Sequence, residues 1–233
     1  MKAVLLAAGE GTRLRPLTLH TPKCLVPING KPLLDYWLEM LSSFSSITEI
    51  FVNTHYLHEQ VESHLDRVWR HLDNLKCWYE PQLLGTAGTL LNNMDALSEG
   101  DVLVVHADNL SVFDLAAFIE AHQNRPAHCV MTMMLFKSDT PTSCGIVELD
   151  GTTIIDMHEK VANPPGNLAN GAVYILSLEA ITLLRNSNIS DISTQLIPML
   201  LGRINGWVNH RYHRDIGTPA SYKQALSDFQ NDR

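Results

Sequence analysis

At 233 residues, with 45% hydrophobic and 18% charged positions, the chain has a globular composition and room for one large α/β domain or two small ones. No apolar stretch approaches the ~18 residues of a membrane span, and a formal net charge of -8 argues against nucleic acid or an anionic membrane as partner. Small phosphorylated ligands stay admissible, because a few placed cations and a metal can hold them.

The N-terminus reads MKAVLLAAGEGTRLRPL. Its apolar run is too brief for a signal peptide and passes straight into a glycine-rich turn, so Lys2–Ala7 is expected as a buried first strand. Pro32–Phe44 carries Leu34, Trp37, Leu38 and Leu41 at helical spacing. Ile47–Asn53 reads as a strand. His58–Leu72 reads as a helix with Val61, Leu65, Val68 and Leu72 on one face. Leu75–Glu80 is expected as a strand, Thr86–Leu97 as a helix, Asp101–Ala107 as a strand, Val112–Asn124 as a helix and Cys129–Phe136 as a strand.

The later chain changes character. Gly145–Leu149, Thr153–Lys160 and Gly171–Leu176 are strands with short links, so some antiparallel pairing is expected there. Helices over Leu178–Arg185 and Ser193–Leu201, a strand near Trp207–Tyr212 and a helix from Pro219 complete the series. The alternation implies a single doubly wound, Rossmann-like α/β domain over 1–233: a mixed, mostly parallel sheet flanked by helices. Four cysteines (Cys24, Cys77, Cys129, Cys144) lack CxxC or metal spacing, which fits reduced thiols and a cytoplasmic setting.

Gly9 and Gly11 follow the first strand directly. Glycine permits a tight turn with positive φ and a close approach of backbone to ligand, and exposed N–H groups in such a turn cradle phosphate. The loop is neither a P-loop nor a full dinucleotide fingerprint, since Leu14 stands where a third glycine would. Arg13, Arg15 and Lys23 fall within a span of eleven positions soon after this strand end, in a chain with only 17 basic residues. Ligand crevices of open α/β sheets lie at such carboxyl ends.

The stretch LLAAGEGTRLRPLTLHTPKCLVPINGKPLLDY resembles the opening motif of the sugar-1-phosphate nucleotidylyltransferases over about thirty consecutive positions. Cys24 departs from the small residue or proline frequent in relatives. The resemblance implies that Ala8, Gly9, Gly11, Thr12 and Arg13 hold nucleotide phosphates and that Lys23 neutralises charge at the reacting phosphates. EPQLLGTAGTL resembles the family's base-recognition segment, which would assign Gln82, Gly85, Thr86 and Gly88 to the nucleotide, with Ala87 between them.

Asp108 ends the strand in DVLVVHADN, where a carboxylate suits Mg²⁺. The competing task of helix cap is assigned instead to Ser111, in a capping-box-like Ser111-Val-Phe-Asp114. Asp215, in HRDIGTPASY, is likewise relieved of capping by Thr218 and Pro219. The resemblance makes Asp108 and Asp215 the Mg²⁺ pair and, with Arg13 and Lys23, the catalytic set. It assigns Gly145 (SCGIVELD), Glu159 and Lys160 (IIDMHEKV), Asn170 (NLANGAVYIL) and Asn109 to the sugar phosphate.

Eleven histidines include His55/His58 and His210/His213 at i, i+3, but no H-E-x-x-H or Cys/His set. These are read as surface or satisfied histidines, with His106 noted for sharing a strand face with Asp108. The expected substrates are a nucleoside triphosphate and a sugar 1-phosphate, with no nucleic acid or membrane partner and a homo-oligomer left open. The LGTAG segment and short length resemble most the mannose- or heptose-1-phosphate guanylyltransferases, by analogy alone. Alternatives are uridylyl transfer to an amino-sugar phosphate, cytidylyl transfer to a non-sugar phosphate, and a regulatory protein without turnover. Retention of Arg13, Lys23, Asp108, Glu159, Lys160 and Asp215 counts against the last. Little room is expected for an additional left-handed β-helix.

Overall fold

A computed structural model describes residues 1–230 as a mixed α/β fold. The chain divides into two compact units, each assembled from separated segments. One contains Met1–Leu83, Val105–Val112 and the chain from Tyr212; the other contains Leu84–Val104 and Phe113–Arg211.

In the first unit the strands Leu75–Tyr79, Glu49–Thr54 and Lys2–Leu6 lie side by side, all parallel, with Leu6 opposite Asn53. Ala3, Val4, Leu5, Ile50 and Val52 are fully buried, as expected of parallel strands whose apolar runs are continuous rather than alternating. The helix Leu33–Ser42 turns Leu34, Trp37, Leu38 and Leu41 inward at the spacing read from the sequence. A second apolar cluster gathers Leu14, Val26, Ile28, Leu33, Leu110, Ile216 and Ala225, and it ties the loop after the first strand to the final helix, Pro219–Gln230.

The second unit mixes pairings. Leu168–Leu176 lies antiparallel to Met131–Lys137, which is parallel to Ile204–Val208. Ile204–Val208 is antiparallel to Thr153–Glu159, and that strand to Gly145–Asp150. The short links after Gly145 therefore make antiparallel neighbours, as expected of the later chain.

Several element boundaries differ from the sequence reading; Thr86–Leu97, for one, is a helix over Thr86–Asn92 followed by a 3-10 turn over Met94–Leu97. The helix that begins at His58 ends at Val68, whose side chain is exposed; Trp69 is buried instead, and its indole N–H donates to Asp35 Oδ1 (2.7 Å). Asn109–Val112 is a strand, and the next helix begins only at Leu115. Its cap is Asp114, which accepts from the Ala117 N–H (3.0 Å), whereas the Ser111 hydroxyl bonds His213 Nδ1 (2.7 Å). The expected strand near Trp207–Tyr212 is two strands, Ile204–Val208 and Tyr212–Asp215, the latter antiparallel to Asn109–Val112. Ser193–Leu201 resolves into a π-type turn over Ile192–Leu196 followed by the short helix Ile197–Leu200.

Candidate active site

The first unit ends its leading strand at Leu6, and the next amide is taken by a side chain. Ala7 donates to Asn53 Oδ1 (2.6 Å), and Asn53 Nδ2 donates to Glu80 Oε1 (2.9 Å). Asn53 and Glu80 are both buried, so the entry to the glycine loop is anchored to a buried polar pair. Ala8 is buried and the loop then turns outward at Gly9.

Gly11 has φ +63, the left-handed region, and a Cβ there would lie 3.0 Å from Thr18 Cγ2 and 3.1 Å from Lys23 Cβ. Its glycine is therefore required by the protein itself. Gly9 differs: its backbone is ordinary and a Cβ would meet no heavy atom within 4 Å. Thr12 and Arg13 follow in a 3-10 turn, with the Arg13 side chain largely exposed.

Lys23 lies in the next 3-10 turn and is 7% exposed. Its ammonium donates to Asp108 Oδ2 at 2.6 Å and to Asp215 Oδ1 at 3.3 Å. The two carboxylates meet because Asn109–Val112 pairs with Tyr212–Asp215 in a register that sets Asp215 opposite Asn109. The Ile216 N–H closes the junction on the Asp108 carbonyl (3.3 Å). Arg13 Nη2 is 3.9 Å from Asp215 Oδ2. Asn109 is buried, and its carbonyl accepts from the Trp37 indole (2.9 Å).

Burial opposes charge on Lys23, but Asp108 and Asp215 outweigh it and hold the ammonium above its ordinary pKa. Burial likewise opposes ionisation of Asp108, and Lys23 with His106 outweighs it, holding the carboxyl below the usual range. Both groups are thus charged at neutral pH. Two carboxylates already converging on one cationic atom are the donor set that a hard divalent cation takes, so Asp108 and Asp215 fit Mg²⁺. His213 is driven to about 3 by burial, partly offset by Asp108, which leaves it neutral beside the acids.

One glycine of this site escaped the sequence reading. A Cβ on Gly217 would lie 2.7 Å from Asp215 Oδ2 and 3.1 Å from Arg13 Nη2. The residue was visible in HRDIGTPASY, but its need for a bare backbone depends on side chains that only the fold brings near.

Gln82 belongs to the first unit and is exposed. The remaining residues that the resemblance assigns to the substrates lie in the second unit. Gly85 has φ +81, and a Cβ there would stand 2.4 Å from the Ser190 carbonyl oxygen. That same oxygen accepts from the N–H groups of Ala87 (2.9 Å) and Gly88 (3.3 Å). The Thr86 hydroxyl donates to Asp191 Oδ2 (3.2 Å) and accepts from the Ile192 N–H (2.8 Å). The Ala87 and Gly88 amides of this segment, which the resemblance assigns to the nucleotide base, are thus bonded within the protein.

Gly145 faces Glu159 across paired strands, and a Cβ there would come within 2.6 Å of Glu159 Oε2. Lys160 adopts φ +50 and its ammonium is 2.8 Å from Glu159 Oε1. Asn170 is occupied internally, donating to the Tyr174 hydroxyl (3.0 Å) and accepting from the Ala172 N–H (2.8 Å).

A family model described as nucleotidyl transferase matches residues 2–232. A mannose-1-phosphate guanylyltransferase of Mycobacterium tuberculosis is 29% identical, over 97% of this chain and 64% of its own length. The D-glycero-alpha-D-manno-heptose 1-phosphate guanylyltransferase of Aneurinibacillus thermoaerophilus is 27% identical over 99% of both chains. HddC from Yersinia pseudotuberculosis, solved in complex with GMP-PN, superposes with a TM-score of 0.80 at 23% identity, covering 98% of this chain and 99% of that one. The chain thus spans less than two thirds of the first relative and nearly all of the other two.

Proposed function

Because the chain belongs to the nucleotidyl transferase family, we propose that it transfers a nucleotidyl group from a nucleoside triphosphate to a sugar 1-phosphate, releasing pyrophosphate, with GTP and a manno-configured hexose or heptose phosphate as substrates. The observation that carries this reading is the convergence of Lys23 on Asp108 and Asp215, with Arg13 alongside, next to a glycine loop at the end of the first strand. The two guanylyltransferase relatives support the choice of base and sugar.

In this reaction an oxygen of the sugar phosphate attacks the α-phosphorus. A new P–O bond forms, the α–β bridging P–O bond breaks, and pyrophosphate leaves with the bonding pair. The attacking oxygen is already anionic, so no general base is required. The obstacle is the approach of two like-charged groups, and positioned cations lower it. Lys23 and Arg13 would oppose charge on the reacting phosphates, while the N–H groups around Gly9 would hold the triphosphate. Asp108 and Asp215 would hold Mg²⁺, which supplies further neutralisation of phosphate oxygens when bound. Glu159 would accept from sugar hydroxyls, and Lys160 would hold the sugar phosphate.

The test is pyrophosphate release with Mg²⁺, crossing each nucleoside triphosphate against a panel of sugar 1-phosphates. Release that requires GTP together with one manno-configured sugar phosphate is the expected result. A requirement for UTP or CTP would move the proposal to another base, and no release with any pair would overturn it. In the same assay Asp108→Ala should abolish turnover while far-UV circular dichroism stays unchanged. Retained Mg²⁺-dependent activity in that variant would remove Asp108 as a metal ligand.

A further inference from the structure

The segment Gly85–Gly88 is held by a loop that the sequence motifs do not touch. Gln195 Oε1 accepts from the N–H groups of Ser190 (2.8 Å) and Asp191 (2.9 Å). The Asp191 N–H and the Ser190 carbonyl belong to one planar trans peptide, so they point in opposite directions. Gripping the amide hydrogen therefore aims the carbonyl oxygen, and it is aimed at the N–H groups of Ala87 and Gly88. Asp191 adds a second tie through the Thr86 hydroxyl. The bare backbone of Gly85 is what lets that carbonyl approach.

We propose that Gln195 is a positioning residue for nucleotide binding. It fixes the Ser190–Asp191 peptide, which in turn fixes Gly85–Gly88 in the conformation that meets the base. The proposal rests on the reading of Gly85–Gly88 as part of the nucleotide site. Gln195 is exposed and has no chemical part in the transfer. Its effect is preorganisation: a segment held before the ligand arrives costs less to order on binding, and a segment held only part of the time weakens binding by that fraction. The groups around Lys23 are positioned by other elements, so the chemical step is untouched.

The experiment is steady-state kinetics with Mg²⁺, GTP and the sugar phosphate for Gln195→Ala and Gln195→Glu. In Gln195→Ala the nucleotide KM should rise about five- to tenfold, with kcat and the sugar-phosphate KM within about twofold of the parent. Gln195→Glu keeps the acceptor oxygen and should restore the nucleotide KM to within about twofold. An unchanged nucleotide KM in Gln195→Ala, or kcat and both KM values moving together, overturns the proposal. If the parent protein turns over no substrate pair, the functional reading has failed separately, and calorimetric titration with GTP and Mg²⁺ decides. Weaker binding by Gln195→Ala than by the parent then supports the positioning role; equal binding, or none by either, overturns it.

Discussion

Lys23 and Asp108 meet at 2.6 Å, with the lysine side chain 7% exposed and that of Asp108 36% exposed. Asp215 shares the same ammonium at 3.3 Å. Removing the ammonium leaves two carboxylates without the cation they share. In Lys23→Met the cost should be about 1–2 kcal/mol, below the range for a fully buried pair because both acids touch water. Added Mn²⁺ should stabilise Lys23→Met more than it does the parent, since the ion takes over the charge that the lysine supplied. Thermal unfolding with and without Mn²⁺ reads both effects. Pyrophosphate release should fall by about 10²-fold or more; kinetics like the parent's would take Lys23 out of the mechanism.

Acid sensitivity should come first from histidines rather than from this ion-pair cluster. His122 is wholly buried, with Nδ1 on the Thr132 hydroxyl (2.8 Å), and burial reinforced by Arg125 drives its pKa to about 3. A folded value below the unfolded one means that the unfolded chain binds the extra proton between about 6.5 and 3. Stability therefore falls as pH drops through 6.5, by at most about 1.4 kcal/mol per pH unit for this one group. Asp108 has the same sign but acts only near pH 4 and below, where the unfolded carboxyl gains its proton. His122→Gln should flatten the decline in Tm between pH 6.5 and 4.5 without removing it, because His213 is also driven to about 3. A variant as steep as the parent would show that His122 is not the source.

That Gly9 and Gly11 follow the first strand and that Asp108 and Asp215 lie close to strand ends was legible because those signals are local, whereas the roles given to these residues came from the resemblance. The pairing that joins the acids was not legible. Asn109–Val112 and Tyr212–Asp215 are four residues each, too short for a clear alternation, and their partners lie far apart in sequence. Ser111 looked like a cap because a polar residue preceded a helical pattern, yet its hydroxyl serves His213 while Asp114 caps one turn later. At Gly85 the sequence signal was real but ambiguous. A glycine that admits a protein carbonyl and one that admits a ligand look alike until Ser190 is seen against it. Backbone contacts of that kind leave no side-chain signature to read.

Gly217 supplies a sharper probe of the acid site than replacing the acids. Alanine there would put a methyl group 2.7 Å from Asp215 Oδ2, and the carboxylate must swing away. The backbone of Gly217 is not in the left-handed region, so the substitution carries no conformational strain of its own. Gly217→Ala should keep its stability within about 1 kcal/mol while losing roughly tenfold or more in turnover. Weakened Mn²⁺ binding, read by electron paramagnetic resonance on nucleotide-free protein, should accompany the loss. Intact Mn²⁺ affinity would mean that Asp215 accommodates the methyl or is not a ligand.

Gly9 separates the demands of the fold from those of a ligand. The two loop glycines look equivalent in sequence, but a Cβ at Gly11 collides with Thr18 and Lys23 while one at Gly9 enters open space. Gly9→Ala should therefore leave stability unchanged or raise it by about 0.4–1 kcal/mol, the gain from a stiffer unfolded chain. If the loop cradles phosphates through its backbone, that same methyl group occupies the ligand's side of the turn. Nucleotide KM should then rise at least about tenfold, with the melting temperature undiminished. Gly11→Ala should instead lose stability and activity together, because φ +63 and the contact with Thr18 both penalise it. A Gly9→Ala protein that is stable and binds nucleotide as the parent does would mean that the phosphates lie elsewhere, and the case for this loop as the cradle would fall with it.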